Sequence, residues 1–318
     1  MKAFCLSHRK DVDGLGSCSL AVAATGGKVI LSDYDDFVDN LKLVPDDADR
    51  LVISDLGADS ANFPPYLEQI KRIAKHAEVT HIDHHYMSQD AKRQVRKAGV
   101  HLVHDTSECA SILTYKTFER ALPERARLIA LCGAVTDYMD DAPIAKKLME
   151  QGDRQFVLLE ATMLAYALGG MEGEEGFPER VVVELSAMRH PHEIKGVPEA
   201  ALAELERMAR LGEFVKAEGR KKGRVAYIVT TQYSTGNVAK LLIGAFGVPV
   251  GVAMKQKQEG WYEVSLRSTS EARVHLGRTI AKISERLGGS GGGHRKAAGC
   301  RVPVAGVDEM IRALAKKV

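Results

Sequence analysis

Short apolar runs alternate with helical patterns along the N-terminal part of the chain. Residues 15–24 and 66–77 carry apolar side chains at helical spacing. Four apolar runs around them have the length of buried strands: 3–6, 28–31, 50–54 and 80–83. Alternation of this kind is typical of a mostly parallel sheet with helices on its faces. The pattern therefore predicts an α/β fold for this part of the chain.

The remaining pattern predicts a helical region, a connecting helix and a second α/β unit. Residues 108–187 are mainly helical in pattern, and residues 198–217 have the apolar spacing of one further helix. Strands are predicted again in four segments: 225–229, 249–254, 261–266 and 299–302. From these changes we predict an N-terminal domain, a connector helix with its linker, and a smaller C-terminal α/β domain, at 1–195, 196–222 and 223–318.

Side chains that can bind metal ions cluster where predicted strands end. Asp83, His84 and His85 lie at the end of one strand, and Asp55 directly follows another. Further candidates are found in the turn after the first strand and after an apolar helical run: His8, Asp11, Asp13 and Asp137, with Gly14 allowing the tight turn. In open α/β sheets, ligands bind beyond the carboxyl ends of the strands. Carboxylates and imidazoles at this edge therefore predict a site for divalent metal ions.

Each cluster also has a structural interpretation, which the sequence leaves open. A helix-capping aspartate in a charged turn explains residues 8–14 about as well as a metal ligand does. A single aspartate after a strand, such as Asp55, is more often a cap or a turn residue. The basic run of residues 220–222 can steer an anionic substrate, although a solvated linker explains it equally well.

A glycine run in the C-terminal part is the last candidate site. Gly291, Gly292 and Gly293 precede His294, and the amides of such a run can approach a phosphate closely. A flexible linker is the alternative, but it fits poorly because a strand and a helix follow at once. Arg267 ends a predicted strand upstream and offers a guanidinium for bidentate contact with a phosphate.

Charge, cysteine content and apolar stretches argue against several classes of protein. A net charge of +2 over 318 residues argues against a heavily basic nucleic-acid coat protein and leaves room for a local basic patch. The five cysteines are odd in number and scattered, so we expect reduced thiols in a cytoplasmic protein. A predicted strand at the N-terminus leaves no room for a signal peptide. The longest apolar stretch, 241–254, is too short to span a bilayer.

Taken together, these motifs resemble those of the DHH phosphoesterase family. The N-terminal matches are the His-x-x-Asp-x-Asp-Gly segment at 8–14, Asp55, the Asp-His-His segment at 83–85, and Asp137. Residues 265–268, and the Gly-Gly-Gly-His segment at 291–294 with Ala-Ala-Gly at 297–299, resemble the DHH-associated C-terminal domain of that family. The resemblance runs over nearly the whole chain in the expected order. It implies an active site in the cleft between the two domains.

The resemblance also implies a site for two divalent metal ions, usually Mn²⁺, with Mg²⁺ as the alternative. The implied ligands are His8, Asp11 and Asp55 for one ion, and Asp13, Asp55, His84 and Asp137 for the other, so that Asp55 bridges them. His85 would contact the phosphate or the leaving group, and Asp83 would orient a neighbouring histidine. The implied contacts of the substrate phosphate come from the C-terminal domain: Arg267, Gly292, Gly293 and His294.

The activity that the resemblance implies is hydrolysis of phosphoester bonds by two-metal activation of water. Only 6% of the residues are aromatic, and the chain lacks the length for an added oligonucleotide-binding domain. We therefore expect short oligonucleotides or small nucleotides as substrates, as in the nanoRNase and phosphoadenosine-phosphate phosphatase branch. The alternatives are a cyclic di-AMP phosphodiesterase, a RecJ-like single-strand exonuclease, and a non-catalytic module that binds nucleic acid or a partner. Membrane association is not expected, and we allow for a homodimer.

Overall fold

A computed structural model describes residues 2–57, 62–171, 173–230 and 233–318. The chain groups into two compact units, Met1–Leu205 and Glu206–Val318. Helix α10, Val197–Glu218, contains the point of division.

The first unit is built on a parallel sheet of five strands. The strands are β1 (Ala3–His8), β2 (Lys28–Ser32), β3 (Arg50–Ser54), β4 (Glu78–Asp83) and β5 (His101–His104). Their order in the sheet is β2-β1-β3-β4-β5, and every neighbouring pair is parallel. Because the strands run in one direction, the residues that follow β1, β2, β3 and β4 meet at one edge of the sheet.

Helices cover both faces of this sheet. They are α1 (Val12–Thr25), α2 (Phe37–Asn40), α3 (Phe63–Ile73), α4 (Gln89–Lys97), α5 (Ala110–Phe118), α6 (Ala126–Thr136), α7 (Pro143–Met149), α8 (Arg154–Gly170) and α9 (Phe177–Ser186). One core cluster joins the sheet to α1, α5, α6, α8 and α9, and a second joins it to α2, α3 and α4. None of the helices in the described parts of the chain combines the length and the apolar character needed to cross a membrane.

The second unit is built on a mixed sheet of six strands. The strands are β6 (Arg220–Lys222), β7 (Val225–Val229), β8 (Val250–Gln258), β9 (Trp261–Ser268), β10 (Ser290–Gly293) and β11 (Ala297–Pro303). Their order is β10-β11-β9-β8-β7-β6, and only the β7–β8 pair is parallel among these strands. Helix α11 (Thr235–Phe246) packs on one face, and α12 (Leu276–Arg286) and α13 (Val307–Ala315) pack on the other.

All eight strands predicted from apolar runs are present, and three further strands were not predicted. Strand β5 has the sequence His-Leu-Val-His, in which only two residues are apolar. The basic run Arg220–Lys222 is not a linker: it pairs antiparallel with β7 and keeps its side chains exposed. Strand β10 consists of a serine and three glycines, and its pairing with β11 holds it extended. Backbone pairing rather than side-chain pattern forms these three strands.

Candidate metal centre

The first candidate residues lie in the turn between β1 and α1. Strand β1 ends at His8, and Asp11 caps the N-terminus of α1 by accepting a hydrogen bond from the amide of Gly14 at 2.8 Å. The other carboxylate oxygen of Asp11 lies 2.7 Å from Nδ1 of His8. A side chain at position 14 would place its Cβ 2.4 Å from the carbonyl oxygen of His8, so only glycine permits this turn.

Asp55 lies between two groups of ligand atoms. It directly follows β3, its side chain is almost fully buried, and its backbone has a φ of +54°. One carboxylate oxygen of Asp55 is 3.8 Å from Nδ1 of His8, and the other is 3.4 Å from Nε2 of His84. Aspartate adopts this left-handed conformation more readily than most residues, and strained backbone of this kind is enriched at functional sites.

The second group of ligand atoms surrounds His84. Its Nε2 atom is 3.8 Å from a carboxylate oxygen of Asp13, and its Nδ1 atom is 3.7 Å from Asp137. Asp13 is buried and accepts hydrogen bonds from the amides of Ala110 and Ser111 at 2.8 and 2.9 Å. These two amides belong to the first turn of α5, so one carboxylate both caps α5 and faces His84.

The carboxylates of this site repel one another. Burial, together with the negative charges of Asp13 and Asp11, raises the pKa of Asp55 well above its usual value. Burial and the charge of Asp13 raise the pKa of Asp137 to about 6, although His84 acts in the opposite direction. A bound cation would remove this repulsion, since an opposite charge favours the ionised form of a carboxylate.

The donor set fits divalent cations. One donor atom from each of His8, Asp11 and Asp55 lies within 4.8 Å of the others, and the same holds for Asp13, His84 and Asp137. Nε2 of His8 and Oδ2 of Asp83 are buried and have no hydrogen-bond partner in the described parts of the chain. Mixed carboxylate and imidazole donors without a thiolate suit Mn²⁺ and Mg²⁺.

His85 is held by hydrogen bonds from both sides. Its Nδ1 atom donates to Asp83 at 2.8 Å, and the hydroxyl of Tyr34 lies 2.9 Å from its Nε2 atom. Burial would raise the pKa of Asp83, but the hydrogen bond from His85 and the charge of His81 outweigh it and lower that pKa. The histidine next to Asp83 in this arrangement is His85, and the carboxylate fixes the orientation of its ring.

Sequence reasoning missed two residues of this site, Asp33 and Tyr34. Asp33 directly follows β2, is buried, and places a carboxylate oxygen 3.5 Å from Nε2 of His8. The strand-end rule, by which ligands bind beyond the carboxyl ends of parallel strands, selected Asp55 and would also have selected Asp33. The ring of Tyr34 lies 5.0 Å from that of His8 and 5.7 Å from that of His85. No motif marks Tyr34, because its position depends on the path of the chain after β2.

The predicted phosphate contacts lie together at one end of the sheet in the second unit. Arg267 of β9 is opposite Ala297 of β11, and one of its Nη atoms donates to the carbonyl of Leu266 at 3.0 Å. His294 follows β10, and its amide donates to the carbonyl of Ala297 at 2.7 Å. A Cβ atom at Gly292 would meet no atom within 4 Å, so the backbone is open to a ligand there.

The fold and the site define an α/β protein whose N-terminal unit holds a carboxylate–histidine centre suited to divalent cations. The model of the DHH family N-terminal domain matches residues 2–137, and the model of the DHHA1 domain matches residues 221–318. Together these matches cover more than half of the chain and include every residue predicted at the site. The chain belongs to the DHH family of phosphoesterases.

Solved structures share this fold over almost the whole chain. The pGpG-specific phosphodiesterase PggH from Vibrio cholerae has a TM-score of 0.64 and 13% identity, over 99% of this chain and 98% of PggH. A manganese-bound exonuclease RecJ has a TM-score of 0.63 and 16% identity, over 99% and 89%. RecJ from Thermus thermophilus in complex with Mn²⁺ has a TM-score of 0.58 and 17% identity, over 99% and 51%. No protein among the curated ones matches this sequence significantly.

Proposed function

We propose that this protein is a metal-dependent phosphodiesterase that hydrolyses short oligonucleotides or small nucleotides. The observation that carries the proposal is the position of Asp55, whose buried carboxylate is 3.8 Å from His8 and 3.4 Å from His84. One aspartate thus faces two separate groups of donors, as a residue that bridges two cations must. The proposal agrees with the resemblance drawn from the motifs of the sequence.

In this proposal, the donors divide between two cations, for which Mn²⁺ is the expected ion. The first set is His8, Asp11 and Asp55, and the second is Asp13, Asp55, His84 and Asp137. Bound divalent cations supply an activated water and stabilise the charge that develops on the phosphate oxygens. Asp13 is kept in place for this role by the two amides of α5, which fix its carboxylate before any ligand arrives.

His85 is the residue proposed to contact the phosphate or the leaving group. Its ring is partly exposed, with 38% of the side chain accessible, whereas Asp83 behind it is fully buried. The Asp83 carboxylate places the ring proton on Nδ1, so that Nε2 accepts from the Tyr34 hydroxyl. Burial lowers the pKa of His85, but the hydrogen bond to Asp83 and the negative charges of Asp83, Asp137 and Asp13 together outweigh it and raise that pKa above its usual value.

Arg267 and His294 are proposed to hold the substrate phosphate, with Gly292 and Gly293 offering backbone next to them. Both residues neighbour Ala297 through the backbone: Arg267 is opposite it in the β9–β11 pairing, and the amide of His294 donates to its carbonyl. A guanidinium can form two parallel hydrogen bonds to phosphate, and an open glycine backbone permits close approach. These features support recognition of a phosphate group, and no residue is proposed to contact the base of the nucleotide.

The likeness to solved structures leaves the length of the substrate open. It runs over 98% of the pGpG-specific phosphodiesterase, over 89% of one RecJ exonuclease and over 51% of RecJ from Thermus thermophilus. At 13% and 17% identity the likeness concerns the fold, so the substrate has to be established by assay.

A panel of four substrates with Mn²⁺ tests the proposed function. It contains a 5′-phosphorylated dinucleotide, a long single strand, cyclic di-AMP and phosphoadenosine phosphate. We expect the highest kcat/KM with the dinucleotide or with phosphoadenosine phosphate. A clear preference for the long strand would assign the protein to the single-strand exonucleases instead, and a preference for cyclic di-AMP would assign it to that signalling reaction.

The alternative from another class is a module that binds nucleic acid or a partner without catalysis. It predicts retained binding of the dinucleotide with no turnover in Mn²⁺. Isothermal titration beside the hydrolysis assay separates the two, because a phosphodiesterase consumes the ligand during the titration. The complete set of potential ligands around Asp55 favours the enzyme.

A further inference from the structure

A second cluster of metal-binding side chains lies in the first unit, on residues that the candidate metal centre does not use. Glu160 is on α8, and its carboxylate is almost fully buried. One carboxylate oxygen accepts a hydrogen bond from the amide of His192 at 3.1 Å, and the other contacts Nδ1 of the His192 ring. His192 belongs to a single 3-10 turn, Pro191–Glu193. The buried carboxylate therefore connects α8 to this turn.

His190 brings a third donor to the same place. The rings of His190 and His192 are 5.5 Å apart and almost perpendicular. One donor atom from each of Glu160, His190 and His192 lies within 4.8 Å of the other two. The ring of Phe156 lies 5.5 Å from His190 and 6.2 Å from His192, so an apolar side chain borders the cluster.

We propose that Glu160, His190 and His192 form a binding site for a divalent cation of the zinc class. Two imidazoles and one carboxylate are a donor set that Zn²⁺ accepts, with a fourth position left for water. Donors on one tetrahedral ion are about 3.4 Å apart, so the 4.8 Å cluster closes on the ion by small ring rotations. The ion takes the place of the hydrogen bond between Nδ1 of His192 and Glu160, and the proton of that bond is released to water.

An ion pair between Glu160 and His192 does not account for the whole arrangement. That pair satisfies the buried carboxylate, and His190 caps the turn by donating its amide to the Glu193 carboxylate at 2.8 Å. This backbone contact does not require the His190 imidazole to face Glu160. A cavity of about 290 Å³ adjoins His190 and Phe156. The His192 side chain is 46% exposed, so a cation and its water ligand can reach the cluster from solvent.

The two sites of the first unit differ in the metal that they favour. The centre around Asp55 is rich in carboxylates, which suits Mn²⁺, whereas two of the three donors here are imidazoles. Zn²⁺ binds imidazole more strongly than Mn²⁺ does, as the general order of metal affinities indicates. The second site therefore fills with Zn²⁺ and joins α8 to the turn that precedes α10, which stabilises the fold without taking part in hydrolysis.

Zinc content measured by mass spectrometry after equilibrium dialysis tests this site. The full chain is compared with the His190→Ala and Glu160→Gln variants, and His76→Ala serves as control because His76 is an exposed histidine outside the cluster. We expect each cluster variant to bind one Zn²⁺ fewer per chain than the wild type, and the control to bind as many. Equal zinc content in the wild type and in both cluster variants would overturn the proposal.

Thermal unfolding gives a second reading that does not depend on the active site. In an Asp55→Asn/His84→Ala background, saturating Zn²⁺ should raise Tm by several degrees, because a ligand that binds only the folded state stabilises it. Adding His190→Ala to that background should abolish the rise. If Glu160 and His192 form only an ion pair, the change in Tm on adding Zn²⁺ would be the same with and without the His190→Ala substitution. That result would refute the site.

Discussion

Replacement of Gly133 by alanine tests whether the metal centre depends on close packing between α5 and α6. Gly133 lies in α6, and a Cβ atom there would be 2.1 Å from Oγ of Ser111 and 2.6 Å from Oδ1 of Asp13. Neither neighbour can move freely, since Ser111 donates to the carbonyl of Ala130 at 2.9 Å and Asp13 is held by two amides of α5. The added methyl group therefore displaces a proposed metal ligand.

The sign and size of the effect follow from these contacts. Alanine inside a helix normally stabilises by up to about 1 kcal/mol relative to glycine, but overpacking of a tight core costs about 1–3 kcal/mol. A weakened hydrogen bond to the Asp13 carboxylate adds about 1.5–3 kcal/mol. A net loss of about 1.5–5 kcal/mol lowers Tm by roughly 3–20 °C for a unit of this size. A shift of Asp13 by about 1 Å would also reduce kcat/KM by about 100-fold.

The assay combines thermal unfolding in a chelator with Mn²⁺ titration of the folded protein. Gly152→Ala is the matched control, because the atom nearest to its Cβ would be a guanidinium nitrogen of Arg127 at 3.8 Å. The double variant Gly133→Ala/Ser111→Ala should recover part of the lost Tm, while Mn²⁺ affinity stays low because the contact with Asp13 remains. If Gly133→Ala has the Tm and the Mn²⁺ affinity of the wild type, the packing described for Asp13 is wrong.

Three further predictions concern Tyr34 and Asp137 at the metal centre and Arg267 at the proposed phosphate site. Tyr34→Phe removes the hydrogen bond to Nε2 of His85 and should lower kcat about 3–10-fold with little change in Mn²⁺ affinity; steady-state kinetics with an unchanged kcat would remove Tyr34 from the site. The pKa of Asp137 is about 6 in the folded protein, above the value of about 4 that is usual for an aspartate in an unfolded chain. The protonated form of Asp137 therefore favours folding. Its contribution to the free energy of unfolding is full below about pH 4 and is lost as the pH rises through 6. Urea unfolding of the metal-free protein at pH 5 and pH 7 should show this dependence, and Asp137→Asn should reduce it; equal pH dependence in both proteins would contradict the assignment. Arg267→Lys should raise KM about 10-fold by removing bidentate phosphate contact, whereas Arg278→Lys, at an exposed position of α12, should leave KM unchanged, and equal KM values would exclude Arg267 from the phosphate site.

The strand-end rule explains how much of the candidate site could be predicted from the sequence. Asp55 follows, and Asp83 ends, an apolar run typical of a buried strand, and parallel neighbours bring the ends of these strands together. Asp13 and Asp137 reach the same place through the helices α1 and α6, so their convergence depends on tertiary packing. For Asp13 and Asp137, the resemblance to the DHH family predicted this convergence, which the local sequence pattern could not predict.

The parts that the sequence did not predict depend on contacts between distant segments. Strand β10 is glycine-rich and has no intrinsic preference for an extended form, and its pairing with β11 determines it. Tyr34 approaches His85 across 51 residues of sequence, and nothing in its neighbourhood signals that contact. Glu160 is 32 residues from His192, and in the sequence alone His190 and His192 have no visible partner.

Initial rates of hydrolysis of a 5′-phosphorylated dinucleotide test whether the protein is a metal-dependent phosphodiesterase with Asp55 at its centre. They should be measured for the wild type and for Asp55→Asn, with Mn²⁺ and with a chelator, and Asp90→Asn on α4 provides an exposed control. We expect turnover that requires Mn²⁺, is unaffected by Asp90→Asn, and falls by about 1,000-fold or more in Asp55→Asn, since cations stabilise the transition state by several kcal/mol. Turnover that persists in the chelator, or that survives in Asp55→Asn, would contradict a metal-dependent phosphodiesterase built around Asp55.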